Sequence, residues 1–173
     1  MNDERPTAGA PGWRAMRPDD LAAVDAVAAR VHPDFPEDAA VFAERLRLYP
    51  QGCRVLAAAD GEVVGYVVSH PWHGGQPPAL NVLIGSIPAP ASTYYIHDLA
   101  LRPEVRGSGA ASRIVDALIG HARTRGLTSL SLTAVNGSVA FWRKQGFVVV
   151  APRVDGTMSS YGEDARQMRL DLA

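Results

Sequence analysis

The stretch R-G-S-G-A-A, residues 106–111, lies between a strand-like run, residues 94–101, and a helix-like run, residues 112–125. Glycine at positions 107 and 109 removes side chains that would keep a ligand away from the backbone. The first turn of a helix carries N–H groups without intrahelical partners, at the positive end of the helix dipole. The stretch therefore predicts a pyrophosphate cradle, and so a protein that binds a nucleotide-like cofactor.

Length and composition are typical of a single globular domain. The chain has 173 residues, of which 47% are hydrophobic and 20% are charged. We expect one folded domain over residues 13–173, after a flexible N-terminal tail over residues 1–12. The net charge of −1 argues against binding to nucleic acid or to an anionic membrane. Cys53 is the only cysteine, which excludes an intrachain disulfide and suits a cytoplasmic location. No apolar run reaches the length of a membrane span.

Hydrophobic periodicity predicts the element order β-α-α-β-β-loop-β-α-β-α-β-β. The predicted strands are 13–16, 53–59, 62–70, 94–101, 127–135, 147–151 and 165–172, and the predicted helices are 18–31, 37–49, 112–125 and 136–145. Asp60-Gly61 is typical of a hairpin turn. Residues 71–92 are rich in proline and glycine and predict a long loop with a short helical piece at 79–84. Residues 155–164 predict a polar turn.

Three motifs follow one another in the second half of the chain. They are H-D-L-A-L-R-P at 97–103, the glycine turn at 106–111, and N-G-S-V-A-F-W-R-K-Q-G-F at 136–147. Together they resemble the GNAT family of acetyl-CoA-dependent N-acetyltransferases, whose cofactor motif Q/R-x-x-G-x-G/A is filled here by Arg106, Gly109 and Ala111. The resemblance covers about residues 13–172. It implies an α/β fold with a central, mostly antiparallel sheet of about seven strands and about four flanking helices.

The resemblance implies that acetyl-CoA is the cosubstrate and lies between the strands at 94–101 and 127–135. Those strands splay apart in the family, often beside a bulge in the first, so that the pantetheine arm pairs with free backbone groups. Arg106 either pairs with a phosphate or is a solvated arginine, and Asn136 caps the following helix, contacts the cofactor, or does both. The residues expected at the cofactor are Leu99, Ala100, Leu101, Arg106, Gly107, Ser108, Gly109, Ala110, Ala111, Asn136 and Trp142.

Acetyl transfer to an amine requires a proton acceptor, because an alkyl amine with a pKa of about 10 is mostly protonated at neutral pH. His97 and Asp98 are the candidate catalytic residues, with a slight preference for His97. Each residue also has a purely structural interpretation. His97 could be a hydrogen-bonded core histidine, and Asp98 could pair with an arginine or a backbone amide. Strict alternation predicts two faces, of which at most one is turned to the acetyl group. One face holds Tyr95, His97, Leu99 and Leu101, and the other holds Tyr94, Ile96, Asp98 and Ala100.

Trp142 stands where many members of the family carry a tyrosine that protonates the leaving thiolate. An indole N–H donates a hydrogen bond but is not a usable acid. Either the thiolate leaves without a protein acid, or Tyr94, Tyr95 or Tyr161 substitutes. Trp142 itself is expected to pack against the cofactor arm.

The acceptor site is expected in the loops at 32–37 and 70–92. Its expected lining residues are Asp34, His70, Trp72 and His73. No third ligand accompanies His70 and His73, so no metal is expected. The leading hypothesis is an N-acetyltransferase that acts on a primary amine of a small molecule. The alternatives are a protein N-terminal acetyltransferase, a non-catalytic acyl-CoA sensor, and an unrelated nucleotide-binding α/β protein. A homodimer is compatible with the resemblance.

Overall fold

The structure is a computed structural model that describes residues 9–151 and 160–173. Residues 1–8 of the predicted tail and residues 155–159 of the predicted polar turn lie outside the described residues. The strands are β1 (Gly12–Ala15), β2 (Cys53–Ala57), β3 (Val63–Trp72), β4 (Thr93–Leu101), β5 (Ser129–Ala134), β6 (Val148–Val149) and β7 (Arg166–Asp171). The helices are α1 (Leu21–Val31), α2 (Ala39–Leu48), α3 (Ala110–Thr124) and α4 (Val139–Lys144).

The strands form one open sheet in the order β1-β2-β3-β4-β5-β7-β6. Only the β4–β5 pair is parallel among the described strands, so the predicted mixed, mostly antiparallel architecture is confirmed. Helices α1 and α2 cover one face, where Tyr66 and Val68 belong to their core cluster. Helices α3 and α4 cover the other face, where Val67 and Tyr94 pack in a separate cluster.

Strands β4 and β5 separate halfway along their length. Their ladder includes only Tyr94 to Ile96 on β4 and Leu130 to Leu132 on β5. Beyond this point β5 pairs only with β7, and residues 98–101 of β4 pair only with β3. The predicted splay is therefore present, and we call the resulting gap the split.

A β-bulge lies at the start of the split. Val68 pairs with Asp98 and the next β3 residue, Ser69, pairs with Ile96, so His97 is the extra residue of β4. An extra residue shifts the alternation of every side chain that follows it. Asp98 consequently contacts Tyr66 on the α1–α2 face, to which His97 also turns.

The two predicted faces of β4 are therefore wrong beyond the bulge. Ala100 belongs to the core on the α1–α2 face, and Leu99 packs against the core on the α3 face. Both candidate catalytic side chains lie on the same side of the sheet, whereas strict alternation had separated them.

Two predicted helical segments are shorter or absent. Residues 79–84 contain no helix, because Pro77 and Pro78 precede them and Asn81 adopts a left-handed φ of 58°. Helix α4 begins at Val139 with Ser138 as its N-cap residue, and Asn136 has a φ of 53° outside the helix. The prediction that Asn136 caps this helix is therefore wrong.

Candidate active site

One cleft of about 760 Å³ runs along the split. At one end it is lined by Arg106, Gly107 and Gly109 of the glycine turn, and at the other by Phe35 and residues of the loop before α2. The expected site residues that line it are His97, Asp98, Leu99, Leu101, Arg106, Gly107, Gly109, Ala110, Ala111, Asn136 and Trp142. These eleven residues come from β4, the glycine turn, α3 and the segment that contains α4, so the fold brings them together at the split.

The glycine turn offers free backbone donors to this cleft. Gly107 and Gly109 have φ angles of 77° and 78°, a left-handed conformation that other residues rarely adopt. Of the backbone amides from 107 to 112, only that of Ala110 donates to another described residue, to Oγ of Ser108 at 3.3 Å. Free N–H groups at the start of a 15-residue helix fit an anionic group such as a pyrophosphate.

The remaining predicted cofactor residues have other contacts. The Arg106 Nε atom donates to the Leu101 carbonyl at 3.1 Å, which ties the turn to the end of β4. Ser108 does not line the cleft, because its Oγ turns back and donates to the Val105 carbonyl at 2.8 Å. Ala100 is buried on the opposite side of β4 from Leu99, so only its backbone is available to a ligand.

A carboxylate orients the first candidate base. His97 Nε2 lies 2.7 Å from Glu37 Oε1, and both side chains are nearly buried. The second oxygen of Glu37 accepts the Asn81 amide at 3.0 Å, which fixes the carboxylate. A carboxylate that accepts the proton of one ring nitrogen leaves the other nitrogen as the proton acceptor. Glu37 lies 60 positions from His97 and belongs to no motif, so the sequence alone does not identify it as a partner of His97.

The second candidate, Asp98, is an ion-paired carboxylate. Its Oδ1 atom lies 3.0 Å from His32 Nε2, and its Oδ2 atom accepts a hydrogen bond from the Tyr66 hydroxyl. Burial acts to raise the pKa of Asp98, but the contacts with His32 and Tyr66 outweigh it and hold the pKa below its ordinary value. Asp98 is therefore ionised at neutral pH. Its partner His32 also lines the cleft, although no sequence motif marks it.

The other ring nitrogen of His32 reaches across the split. Nδ1 of His32 lies 2.9 Å from Nδ2 of Asn136, which follows β5. Burial acts to lower the pKa of His32, but its contact with Asp98 outweighs this and raises the pKa above its ordinary value.

None of the three tyrosines considered as acids presents a free hydroxyl to the cleft. The Tyr94 hydroxyl contacts Ser69 Oγ at 2.9 Å, away from the cleft lining. The Tyr95 hydroxyl contacts Thr133 Oγ1 at 3.2 Å, and burial raises the pKa of Tyr95 to about 12. Tyr161 lines the cleft, but its hydroxyl donates to the Pro78 carbonyl at 3.0 Å, and burial raises its pKa.

Trp142 lines the cleft with a largely buried side chain. Its ring packs edge-on against Phe141 and Phe147, with centroid distances of 5.0 and 5.3 Å. This position belongs to the core around α4 as well as to the cleft.

The predicted acceptor loops line the cleft, but with other residues than expected. Phe35 and Glu37 come from the first loop and Leu80 from the second. The expected lining residues Asp34, His70, Trp72 and His73 are absent from this cleft.

His70 and Trp72 are held in local structure instead. His70 is buried beneath the Trp72 ring, its Nδ1 donates to the Pro71 carbonyl, and burial lowers its pKa to about 3. Trp72 Nε1 donates to the Gln76 carbonyl at 2.8 Å.

Over residues 9–151 and 160–173, no three His, Cys, Asp or Glu side chains converge as a metal site. None of the helices in this described part of the chain has the length and apolar character needed to cross a membrane.

Comparisons with known proteins identify the fold. A sequence model of the acetyltransferase (GNAT) family matches residues 19–147. No curated protein sequence matches the chain. Among solved structures, the GphF GNAT-like decarboxylase in complex with isobutyryl-CoA has a TM-score of 0.76 and 19% identity, over 94% of this chain and 100% of that one.

Two further solved structures have a similar fold. Ard1 from Thermoplasma volcanium has a TM-score of 0.70 and 20% identity, over 95% of this chain and 99% of its own. The ribosomal-protein-S18-alanine N-acetyltransferase from Escherichia coli has a TM-score of 0.63 and 19% identity, over 94% of both chains. At these identities the likeness extends to the fold alone.

Proposed function

The chain belongs to the acetyltransferase (GNAT) family, and from this premise we propose that it transfers the acetyl group of acetyl-CoA directly to a primary amine of a small molecule. The observation that carries the proposal is the position of the His97–Glu37 pair. It lies in the same cleft as the free amides of the glycine turn, at the bulge where β4 and β5 separate. A proton acceptor and an anion cradle thus share one cleft.

The cofactor end of the cleft supports acetyl-CoA as the cosubstrate. The amides of Gly107, Gly109 and Ala111 suit a pyrophosphate, and the edge of β4 from His97 to Leu101 has no β5 partner. An amide-rich pantetheine arm can pair with such an edge as an added strand. When bound, acetyl-CoA supplies the activated acetyl group, and the protein binds and orients it.

The bulge supports the transfer step. Glu37 accepts the proton of His97 Nε2, so the ring is held with Nδ1 as the proton acceptor for the amine, directly or through water. His97 Nδ1 is buried and has no hydrogen-bond partner among the described residues, so it can accept a proton only from an amine or a water molecule that enters beside it. Backbone N–H groups near the bulge then supply donors for the acetyl oxygen, and the cleft holds the two reactants together.

The acceptor end supports a small amine. Phe35, Leu80 and Tyr161 line it with mostly apolar surface, while Glu37 and Asp98 contribute negative charge that favours a cationic ammonium group. Each of these carboxylates is also paired with a histidine, so the negative charge of the cleft is small and suits one ammonium group rather than several. We therefore propose a monoamine with an apolar body as the acceptor.

The experiment is a steady-state assay of CoA release and amide formation with a panel of amines. We expect turnover on small monoamines and a fall in kcat of about 100-fold or more in His97→Ala. His73→Ala is the matched control, since His73 is an exposed histidine away from the cleft, and it should retain kcat.

The same assay decides between this proposal and its alternatives. Turnover on peptide N-termini and not on small amines would indicate a protein N-terminal acetyltransferase. Tight binding of acetyl-CoA without turnover on any amine or peptide would indicate a sensor and would refute the proposal.

A further inference from the structure

The loop that connects β3 to β4 is fastened by Asn81 to the segment that carries Glu37. The backbone N–H of Asn81 donates to Glu37 Oε2 at 3.0 Å, and its side-chain Oδ1 accepts the N–H of Asp38 at 2.7 Å. The Nδ2 atom of Asn81 also lies 3.4 Å from Oδ2 of Asp38. Asn81 is thus bound to two consecutive residues, and one of them is the partner of the candidate base.

We propose that Asn81 is a positioning residue for acetyl transfer, which holds Glu37 in the orientation that fixes the His97 ring. The inference rests on the proposed function. One oxygen of Glu37 accepts the Asn81 N–H, and the other lies 2.7 Å from His97 Nε2. The carboxylate cannot turn without losing one of these two hydrogen bonds, so the ring keeps Nδ1 as its proton acceptor. Asn81 does not line the cleft, and it acts on the reaction only through Glu37.

The backbone of Asn81 has a left-handed conformation, with a φ of 58°. Asparagine adopts this conformation more readily than most residues that carry a Cβ, and glycine adopts it without strain. Asn81→Gly therefore keeps the backbone conformation and the N–H donor. It removes only the side-chain contacts with Asp38 that hold this donor in place.

The following part of the loop is held to α2 by other side chains. The two oxygens of Glu44 accept the N–H groups of residues 84–85 at 2.8 and 2.9 Å, and Arg45 Nη2 donates to the Val82 carbonyl at 2.9 Å. Both side chains are nearly buried. These contacts do not involve the side chain of Asn81, so the loop should stay bound to α2 in Asn81→Gly.

The residue before Asn81 gives a competing interpretation. Leu80 lines the acceptor end of the cleft, and its N–H donates to Ser160 Oγ at 3.1 Å. Removing the Asn81 side chain could therefore act by displacing this wall rather than by releasing Glu37. The two interpretations differ in whether the effect of the substitution depends on the Glu37 carboxylate.

The test is a double-mutant cycle of Asn81→Gly and Glu37→Ala in the assay of amide formation. Asn81→Gly alone should lower kcat about fivefold, the effect expected for one hydrogen bond, with an unchanged KM for acetyl-CoA. In Glu37→Ala the same substitution should change kcat less than about twofold, because no carboxylate is left to position. An equal loss in both backgrounds would overturn the inference and assign Asn81 to the acceptor wall.

Val82→Gly is the matched control. Val82 is the next residue of the loop and is exposed, so its replacement adds the flexibility of a glycine and leaves the contacts of Asn81 with Asp38 intact. It should retain the kcat of the wild type. A loss equal to that of Asn81→Gly would show a general effect of loop flexibility and would refute the positioning role.

A second readout does not depend on turnover. Nuclear magnetic resonance of the ¹⁵N-labelled histidine rings should show the neutral His97 ring with its proton on Nε2 in the wild type and in Val82→Gly. Asn81→Gly and Glu37→Ala should both show a mixture with the form protonated on Nδ1, and an unchanged ring in Asn81→Gly would contradict the inference. Failure of the wild type to acetylate any amine would refute the proposed function, whereas full activity of Asn81→Gly would refute only the role of Asn81.

Discussion

Gly109→Glu should weaken cofactor binding while the fold survives. Gly109 has a φ of 78°, so any side chain there costs about 1–2 kcal/mol of backbone strain. A Cβ at this position would lie 3.1 Å from Nη1 of Arg113, the far end of a flexible side chain that can move aside. The fold should therefore tolerate the change with a modest loss of stability.

The effect of the substitution on CoA binding is electrostatic. A carboxylate about 4 Å from a phosphate opposes it by about 1 kcal/mol at the dielectric constant of water and by about 4 kcal/mol at that of a protein surface. These energies correspond to binding that is about 5-fold to about 1000-fold weaker. The repulsion is screened by salt, so the difference from the wild type should shrink at high ionic strength.

The assay is calorimetric titration of CoA into the wild type, Gly109→Glu and the control Gly126→Glu. Gly126 has a similar φ of 72° with open space around it, and it lies at the opposite end of α3 from the cradle. The control should lose stability to a similar extent and bind CoA normally. If Gly109→Glu bound CoA as tightly as Gly126→Glu, the cradle assignment would be refuted.

Three further predictions concern the histidines and the buried carboxylate. Tyr66→Phe should lower the free energy of unfolding in urea by about 1.5–3 kcal/mol, because it removes a hydrogen bond to the ionised Asp98 but keeps the ring; an unchanged midpoint would contradict that bond. The raised pKa of His32 stabilises the fold below pH 6.5 and loses its effect as pH rises through the folded value, so the stability gap between wild type and His32→Gln should narrow towards alkaline pH. The pKa of His70, lowered to about 3, has the opposite effect on stability. The free energy of unfolding should fall by about 1.4 kcal/mol per pH unit as pH drops below about 6.5. His70→Asn should lose this dependence in acid titrations of unfolding.

Local patterns were sufficient to predict most of the fold. The alternation of residues 127–135 and the helical spacing after the glycine turn predicted β5 and α3 to within a few residues. The glycine turn was also predictable as a free-amide cradle, because its φ angles and the start of α3 depend on neighbouring residues alone. The sequence of each segment alone was therefore sufficient to predict β5, α3 and the glycine turn.

The errors arise where distant segments meet. The two faces of β4 were wrong because strict alternation does not hold past the bulge at His97; the resemblance implied a bulge in this strand, but the β4 sequence does not mark its position. Glu37 meets His97, and His32 meets Asn136, over separations of 60 and 104 positions. The residue Asn136 was expected as a helix cap because asparagine often is one, but its left-handed backbone turns its side chain to His32 instead.

The measurement that tests the account most directly follows an isotopically labelled acetyl group from acetyl-CoA to an amine. With a small monoamine, we predict that mass spectrometry will find the label in an amide of that amine, with one CoA thiol released per amide. We also predict that His97→Ala will slow both products equally. CoA thiol released without labelled amide, or no release with any amine, would contradict direct acetyl transfer by this protein.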